Sequence, residues 1–224
     1  MRFGFLIVIV LLFVQSCQKT RPNQDTPLTG QQEIVPNQDD ASSIVSDKGR
    51  AIWQKPAVVI QKLGNISNKT VCDLGAGGGY FTFKLALKSE KVIAVDIDST
   101  ALQYIDSLKT SLPSPFRDRI ETRLATPDDP KLKQGEVDII LIINTIAYID
   151  NLKTYLLKLK QSLKPDGQVM IVDYKMKRMA IQAPEVKFRI YENILEDLLY
   201  ECAYSEVLVD DTSLDYQYII TAKL

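Results

Sequence analysis

One short stretch decides the fold: Val71-Cys72-Asp73-Leu74-Gly75-Ala76-Gly77-Gly78-Gly79-Tyr80-Phe81. A brief apolar run ends in an acid and is followed by four glycines within five residues, which predicts a buried strand turning tightly into a helix. Glycine allows the backbone to adopt positive φ angles and to approach a ligand closely. The stretch therefore predicts a ligand-binding turn at the end of a strand.

The spacing of these glycines bears on the class of ligand. A dinucleotide-binding turn needs the pattern G-x-G-x-x-G. If Gly75 and Gly77 are its first two glycines, the third should stand at position 80, which is Tyr80 in this chain. Gly79 completes G-x-G-x-G instead, and Asp73 lies two residues ahead. A carboxylate at that place suits a ligand with an ammonium group and repels a pyrophosphate. The pattern therefore disfavours an NAD- or nucleotide-dependent enzyme, which is kept as an alternative.

The segment Asp73–Gly79 resembles the cofactor-binding motif of class I S-adenosylmethionine-dependent methyltransferases. The resemblance covers nearly all of residues 48–224. It implies a Rossmann-like, doubly wound α/β sheet of seven strands, mostly parallel with an antiparallel C-terminal strand, and helices on both faces. It also implies that S-adenosyl-L-methionine is the cofactor, bound by Asp73, Gly75, Gly77 and Gly79, and that a small molecule accepts the methyl group.

Two later segments are expected to complete the cofactor site. Asp96 ends the second predicted strand, where a carboxylate can accept both ribose hydroxyls in nucleotide-binding sheets. After the third strand, the family often carries a Gly-Asp pair whose acid meets the adenine amino group. Ala125 and Thr126 stand at those positions here, which leaves Asp128 or Thr126 as substitutes.

The apolar run Val137–Ile143 predicts a central strand that ends at Asn144. The resemblance here is to a bacterial methyltransferase group with Asn-Thr, an aromatic residue and paired histidines after this strand. This chain has Asn144-Thr145-Ile146-Ala147-Tyr148 and lacks those histidines. We expect Asn144 to orient the acceptor or the methionine part of the cofactor, and Tyr148 to be a candidate catalytic base.

The rest of the domain continues the alternation of strands and helices that is typical of a parallel α/β sheet. A strand that ends at Asp173, Tyr174 and Lys175 places three further candidate bases at the same edge as Asn144. Apolar positions predict a last helix over residues 185–202. Two closing strands, 205–209 and 216–222, predict a terminal hairpin.

Composition excludes several other kinds of chemistry. Lys plus Arg (27) nearly balance Asp plus Glu (28) in the 224 residues, so no basic surface for nucleic acid is predicted. The absence of histidine excludes Ser-His-Asp and Cys-His triads and histidine-based zinc sites. The three cysteines lack the spacing of a metal site, and Cys72 is expected to be a core residue.

The N-terminal 47 residues predict export and a membrane anchor. Arg2 precedes an apolar run over residues 3–14, which has the length of a signal-peptide core and is too short to span a bilayer. Val14-Gln15-Ser16-Cys17 resembles a bacterial lipobox, which implies that residues 1–17 are a signal segment and that Cys17 is lipidated. Residues 18–47 are polar and predict a disordered tether. This leaves residues 48–224 as the folded unit, which the resemblance implies is the methyltransferase domain.

This N-terminus implies a lipoprotein on the periplasmic side of a bacterial cell envelope. Because the methyl donor is made in the cytoplasm, export motivates a second alternative, a non-catalytic membrane-anchored binding module that retains the methyltransferase fold.

Overall fold

The computed structural model describes residues 48–224. The predicted signal segment, Cys17 and the tether over residues 18–47 lie outside the described residues, so these boundaries stay predictions. Within residues 48–224, no helix is both long enough and apolar enough to cross a membrane.

Strands and helices alternate along most of the described part of the chain. The strands are β1 (Thr70–Leu74), β2 (Lys91–Asp96), β3 (Ile120–Leu124), β4 (Val137–Ile143), β5 (Leu163–Tyr174), β6 (Ser205–Asp210) and β7 (Gln217–Lys223). The helices are α1 (Lys48–Gln54), α2 (Pro56–Lys62), α3 (Tyr80–Ala86), α4 (Ser99–Lys109), α5 (Ser114–Arg117), α6 (Leu152–Ser162) and α7 (Glu192–Glu201). Two 3₁₀ turns, Ile146–Tyr148 and Val186–Phe188, follow β4 and β5 respectively.

The seven strands form one sheet in the order β3-β2-β1-β4-β5-β7-β6. The first five pair in parallel, whereas β7 is antiparallel to both β5 and β6. The order of parallel strands reverses at β1 and β4, and open α/β sheets bind ligands at the carboxyl ends of strands where such a reversal occurs. The predicted fold class is confirmed.

Apolar side chains on both faces of the sheet explain the continuous hydrophobic runs in the strands. On one face, Cys72 and Leu74 of β1 pack in a cluster with Leu156 of α6 and Leu195 of α7. On the other face, Val71 belongs to a second cluster with side chains of α2, α3 and α4. Helices therefore cover both faces, and Cys72 is a fully buried core residue as expected.

The prediction of a helix over residues 185–202 was wrong at its beginning, because α7 starts at Glu192. The side chain of Arg189 donates hydrogen bonds to the backbone carbonyls of Pro184, Lys175 and Lys177. Arg189 itself has an extended backbone, with φ −130° and ψ 151°. These contacts hold the segment after β5 in a loop, and α7 therefore begins only after Arg189.

Candidate functional site: a groove in two halves

Two cavities lie next to each other at the carboxyl ends of β1, β2 and β4. The first has a volume of about 270 Å³ and extends from Asp96 toward Tyr148. The second, about 260 Å³, contains Asp73 and Arg50. Gly75, Asn144 and Thr145 line both cavities, so the two are halves of one groove. We call them the Asp96 half and the Asp73 half.

The glycines of the turn between β1 and α3 differ in what surrounds them: two lie against other protein atoms and one faces open space. A Cβ on Gly75 would lie 2.1 Å from Oγ1 of Thr145, and a Cβ on Gly79 would lie 2.8 Å from the ring of Phe83. Both glycines therefore permit close packing within the protein. A Cβ on Gly77, in contrast, would have no protein atom within 4 Å, although its φ of +51° is also left-handed. Gly77 leaves open space in the Asp73 half, as a ligand cradle requires.

Asp96 supports the glycine turn and keeps capacity for a ligand. Its Oδ2 accepts a hydrogen bond of 2.7 Å from the backbone N–H of Gly77, and its Oδ1 accepts one of 2.9 Å from the N–H of Asp98. Each carboxylate oxygen can accept a second hydrogen bond. The carboxylate lines the Asp96 half, so two ribose hydroxyls can still be bound there by this fixed group.

Asp73 is buried at the end of β1, where its Oδ2 accepts a 2.6 Å hydrogen bond from the hydroxyl of Thr82 in α3. Burial raises the pKa of Asp73 to about 6, although the Thr82 hydrogen bond and the positive charge of Arg50 act in the opposite direction. A carboxylate with a raised pKa gains stability when a cation binds beside it. Asp73 is therefore suited to an ammonium group.

Arg50 is a site residue that our sequence analysis missed. It reaches from α1 into the Asp73 half, where its guanidinium lies 4.3 Å from the centroid of the Tyr80 ring. Its Nε donates to Oε1 of Gln54 at 2.6 Å, and within residues 48–224 it forms no ion pair. The terminal nitrogens of its guanidinium can therefore bind a carboxylate. No sequence pattern near Arg50 indicates this, because the contact exists only after α1 packs beside the glycine turn.

The wall of the Asp96 half is mainly apolar. It includes Leu74, Val95, Ile97, Ala125, Pro127 and Ile149, together with Thr126. Asp128 is absent from this lining, and its Oδ1 accepts a 2.8 Å hydrogen bond from the hydroxyl of Thr126. Of the two predicted substitutes for the adenine contact, the structure therefore brings Thr126, and not Asp128, to the cavity.

Asn144 lies where the two halves meet and has a left-handed backbone, with φ +56°. Its Oδ1 accepts a hydrogen bond from Nε2 of Gln217 in β7, and its Nδ2 lies 3.5 Å from the hydroxyl of Tyr174. The side-chain oxygen of Asn144 thus accepts from Gln217, and one N–H of its amide donates to Tyr174. The second N–H of the amide can still donate to a ligand.

Tyr148 lines the Asp96 half and stacks on Phe188, with ring centroids 5.7 Å apart. The pKa of Tyr148 is raised, first by partial burial and then by the negative charge of Asp173. A tyrosine whose pKa is raised keeps its proton at neutral pH, so this environment does not favour a catalytic base. It suits a hydrogen-bond donor or an aromatic wall.

The three other candidates at this edge have separate environments. Asp173 is buried, and its Oδ1 accepts a hydrogen bond from the N–H of Tyr174. Its Oδ2 has no hydrogen-bond partner within residues 48–224, and burial raises the pKa of Asp173 to about 6. Tyr174 packs on Trp53, with ring centroids 5.9 Å apart. The ammonium of Lys175 donates to the backbone carbonyl of Leu214 at 2.7 Å and is held in the β6–β7 loop. Lys175 is therefore not available at the groove.

Comparison with known proteins identifies the family. The model of the family described as "methyltransferase domain" matches residues 65–221. The match covers more than half of the chain, and this protein belongs to the methyltransferase domain family. The NAD-dependent and the non-catalytic alternatives gain no support from the comparisons.

Two curated relatives match over shorter segments. A ubiquinone biosynthesis O-methyltransferase from Rickettsia canadensis is 25% identical over 118 residues, 50% of this chain and 48% of that protein. A magnesium-protoporphyrin O-methyltransferase from Rhodobacter capsulatus is 31% identical over 93 residues, 41% of this chain and 39% of that protein. The matched segment thus spans about half the length of these relatives, or less.

Among solved structures, a SAM dependent methyltransferase from Aquifex aeolicus has a similar fold. The TM-score is 0.72 at 22% sequence identity, and the similarity covers 81% of this chain and 97% of that one. At this identity the likeness concerns the fold alone.

S-adenosylmethionine is the cofactor that family membership assigns, and the groove fits its two parts. The Asp96 half would hold the adenosine part, with the carboxylate of Asp96 available to the ribose and the apolar wall available to the adenine. The Asp73 half would hold the amino-acid part, with Asp73 available to the ammonium and Arg50 to the carboxylate. Gly75, Asn144 and Thr145, which line both halves, would then surround the sulfonium that joins the two parts.

Proposed function

We propose that this protein transfers the methyl group of S-adenosylmethionine to an oxygen atom of a small-molecule acceptor. One observation supports the proposal: the two halves of the groove meet at Asn144 and Thr145, and one acid lines each half, Asp96 in the first and Asp73 in the second. The names of both curated relatives specify O-methyltransferases, which supports an oxygen acceptor.

The chain's own contribution is mainly alignment. The cofactor supplies an activated methyl group, so positioning an acceptor along the line of transfer can provide much of the rate. In the proposed arrangement, Asp73 and Arg50 fix the amino-acid part, and Asp96 fixes the ribose. The N–H side of Asn144 orients groups near the methyl, and Tyr148 donates a hydrogen bond or forms an aromatic wall for the acceptor.

A matched pair of glycine variants tests the cofactor site. Gly77 and Gly135 both have left-handed backbones, with φ +51° and +60°, and a Cβ at either place would have no protein atom within 4 Å. Only Gly77 lines the groove. Alanine at either position introduces the same kind of backbone strain, roughly 1–2 kcal/mol. Only Gly77→Ala should also place a methyl group in the ligand's space.

The measurement is a calorimetric titration of the full-length protein with S-adenosylmethionine, S-adenosylhomocysteine and NAD. We expect binding of the first two by wild type and Gly135→Ala, and loss of that binding in Gly77→Ala. Equal affinity in both variants would show that the turn is not the site. Release of S-adenosylhomocysteine in the presence of hydroxyl, amine or thiol compounds then determines which atom accepts the methyl group.

We further propose that Cys17 carries a lipid and that residues 18–47 tether the domain to a membrane on the periplasmic side. The support is the sequence alone: a charged start, an apolar run over residues 3–14, a cysteine directly after Ser16 and a polar segment. A lipid anchor would hold the protein on a bilayer without a spanning helix.

A further inference from the structure

Four side chains connect the Asp73 half to the meeting point of the two halves. Nε of Arg50 donates to Oε1 of Gln54 at 2.6 Å, and Nε2 of Gln54 donates to Oε1 of Gln217 at 3.1 Å. Nε2 of Gln217 in turn donates to Oδ1 of Asn144. We call Arg50, Gln54, Gln217 and Asn144 the amide chain. It joins α1, β7 and the end of β4, which are far apart in sequence.

The direction of every hydrogen bond in the amide chain follows from its first member. A guanidinium can only donate, so Gln54 must present its oxygen to Arg50 and its nitrogen to Gln217. For the same reason, Gln217 must present its oxygen to Gln54 and its nitrogen to the side-chain oxygen of Asn144. Bonds aligned in one direction polarise each other in a low-dielectric interior. Gln54 and Gln217 are both completely buried, at 0% exposure, so water does not compete with these bonds.

Burial of two glutamine side chains is costly unless their amides are paired. In this fold, the pairing places Arg50 over the Asp73 half, with its terminal nitrogens unused by any ion pair in residues 48–224. Within residues 48–224, the side-chain hydrogen bonds of Gln54 and Gln217 all go to members of the amide chain.

We propose that Gln217 is a positioning residue of the cofactor site: through Gln54 it holds Arg50 in place for the carboxylate of the cofactor and links it to Asn144. This inference rests on the proposed function. It predicts that Gln217 contributes to the recognition of the amino-acid part of the cofactor, which it does not touch, and contributes nothing to the recognition of the adenosine part.

Two ligands separate these contributions. S-adenosylhomocysteine contains both parts, whereas 5′-methylthioadenosine retains the adenosine and lacks the amino and carboxylate groups. The dissociation constants of both are measured by calorimetry on the full-length wild type, Gln217→Met, Arg50→Gln and the double variant. Methionine matches the length of glutamine and removes both amide bonds. Gln54→Met interrupts the amide chain on the other side, in case Gln217→Met unfolds, and thermal melting verifies that each variant is folded.

We expect Gln217→Met and Gln54→Met each to weaken S-adenosylhomocysteine about tenfold, the scale of one hydrogen bond to a charged group. The affinity for 5′-methylthioadenosine should stay within about twofold. In the Arg50→Gln background, the Gln217→Met change should have no further effect, because the residue acts through Arg50.

A purely structural role gives a different result, since distortion of β7 or β4 would weaken both ligands together and would add to the effect of Arg50→Gln. Either of those outcomes, or an unchanged affinity for S-adenosylhomocysteine, overturns the inference. If the wild type binds neither ligand, the cofactor site itself is refuted, and the two failures are thereby distinguished.

Discussion

Asp73 should make cofactor binding depend on pH. In the free protein, burial raises the pKa of Asp73 to about 6, so this carboxyl keeps its proton at pH values where an exposed aspartate is ionised. The ammonium group of the cofactor favours the ionised form, so binding must release this proton at lower pH. Affinity should therefore increase as pH rises to about 6 and then level off. Below that value the dissociation constant should increase about tenfold for each pH unit.

A second group sets the upper limit of the binding range. The amino group of the cofactor is a cation only while it keeps its proton, so affinity should fall again above the pKa of that amino group. Affinity should thus be highest between about pH 6 and the pKa of the amino group. In that range, Asp73→Asn removes a hydrogen bond between charged groups, worth about 1.5–3 kcal/mol, which corresponds to a loss of about 10- to 150-fold.

The assay is calorimetric titration with S-adenosylhomocysteine at several pH values, each in two buffers with different ionisation enthalpies. The difference in heat between buffers counts the protons released. Thr82→Val is the control, because it removes the 2.6 Å hydrogen bond that lowers the pKa of Asp73 and should shift the binding midpoint to higher pH. The reasoning is refuted if wild-type affinity is constant between pH 5 and 7, or if Asp73→Asn keeps the wild-type pH profile.

Three further predictions concern other parts of the chain. Asp96→Ala should weaken S-adenosylhomocysteine and 5′-methylthioadenosine alike by at least about tenfold, since both carry a ribose, and an unchanged calorimetric affinity would place the ribose elsewhere. Asp173 has its folded-state pKa raised from 3.8 to about 6, so its proton stabilises the fold at low pH. As pH rises from about 4 to 7, urea denaturation should show wild type losing up to about 3 kcal/mol relative to Asp173→Asn; a constant difference contradicts this. Cys17→Ser should abolish lipid attachment, and intact mass of the membrane-extracted wild type checks the premise, because an unmodified chain that still begins at Met1 would disprove lipidation.

The fold could be predicted from the sequence because its signals are local. The glycine turn after β1, the apolar runs of the parallel strands and the acids at strand ends each occupy a few consecutive residues, and the structure places them as predicted. The position of Asn144 at the carboxyl edge of the sheet followed from the same logic.

Arg50 and Gln217 could not be found in this way. Gln217 is 163 residues from Gln54 and 73 from Asn144, so their contacts depend on the insertion of β7 beside β5. The prediction that Asp128 contacts the adenine rested only on its distance along the chain from β3. In the structure, Asp128 is absent from the lining of the Asp96 half, and its side chain accepts a local hydrogen bond from Thr126. Local patterns identify which strand end carries a polar group. They do not show which partner that group finds.

The position of β7 has a consequence for how the domain assembles. Because β7 lies between β5 and β6, strand β6 is made earlier in the chain but has no neighbour to pair with until residues 217–223 are present. Strand β7 must also pair with β5, which lies far earlier in the chain, and long-range pairing of this kind is slow to form because the chain must first close a large loop. A ribosome-bound chain that stops before Gln217 would therefore expose the edge of β5 and lack the partner of Asn144. Ligand binding should then appear abruptly, only when the last strand has been synthesised and has docked.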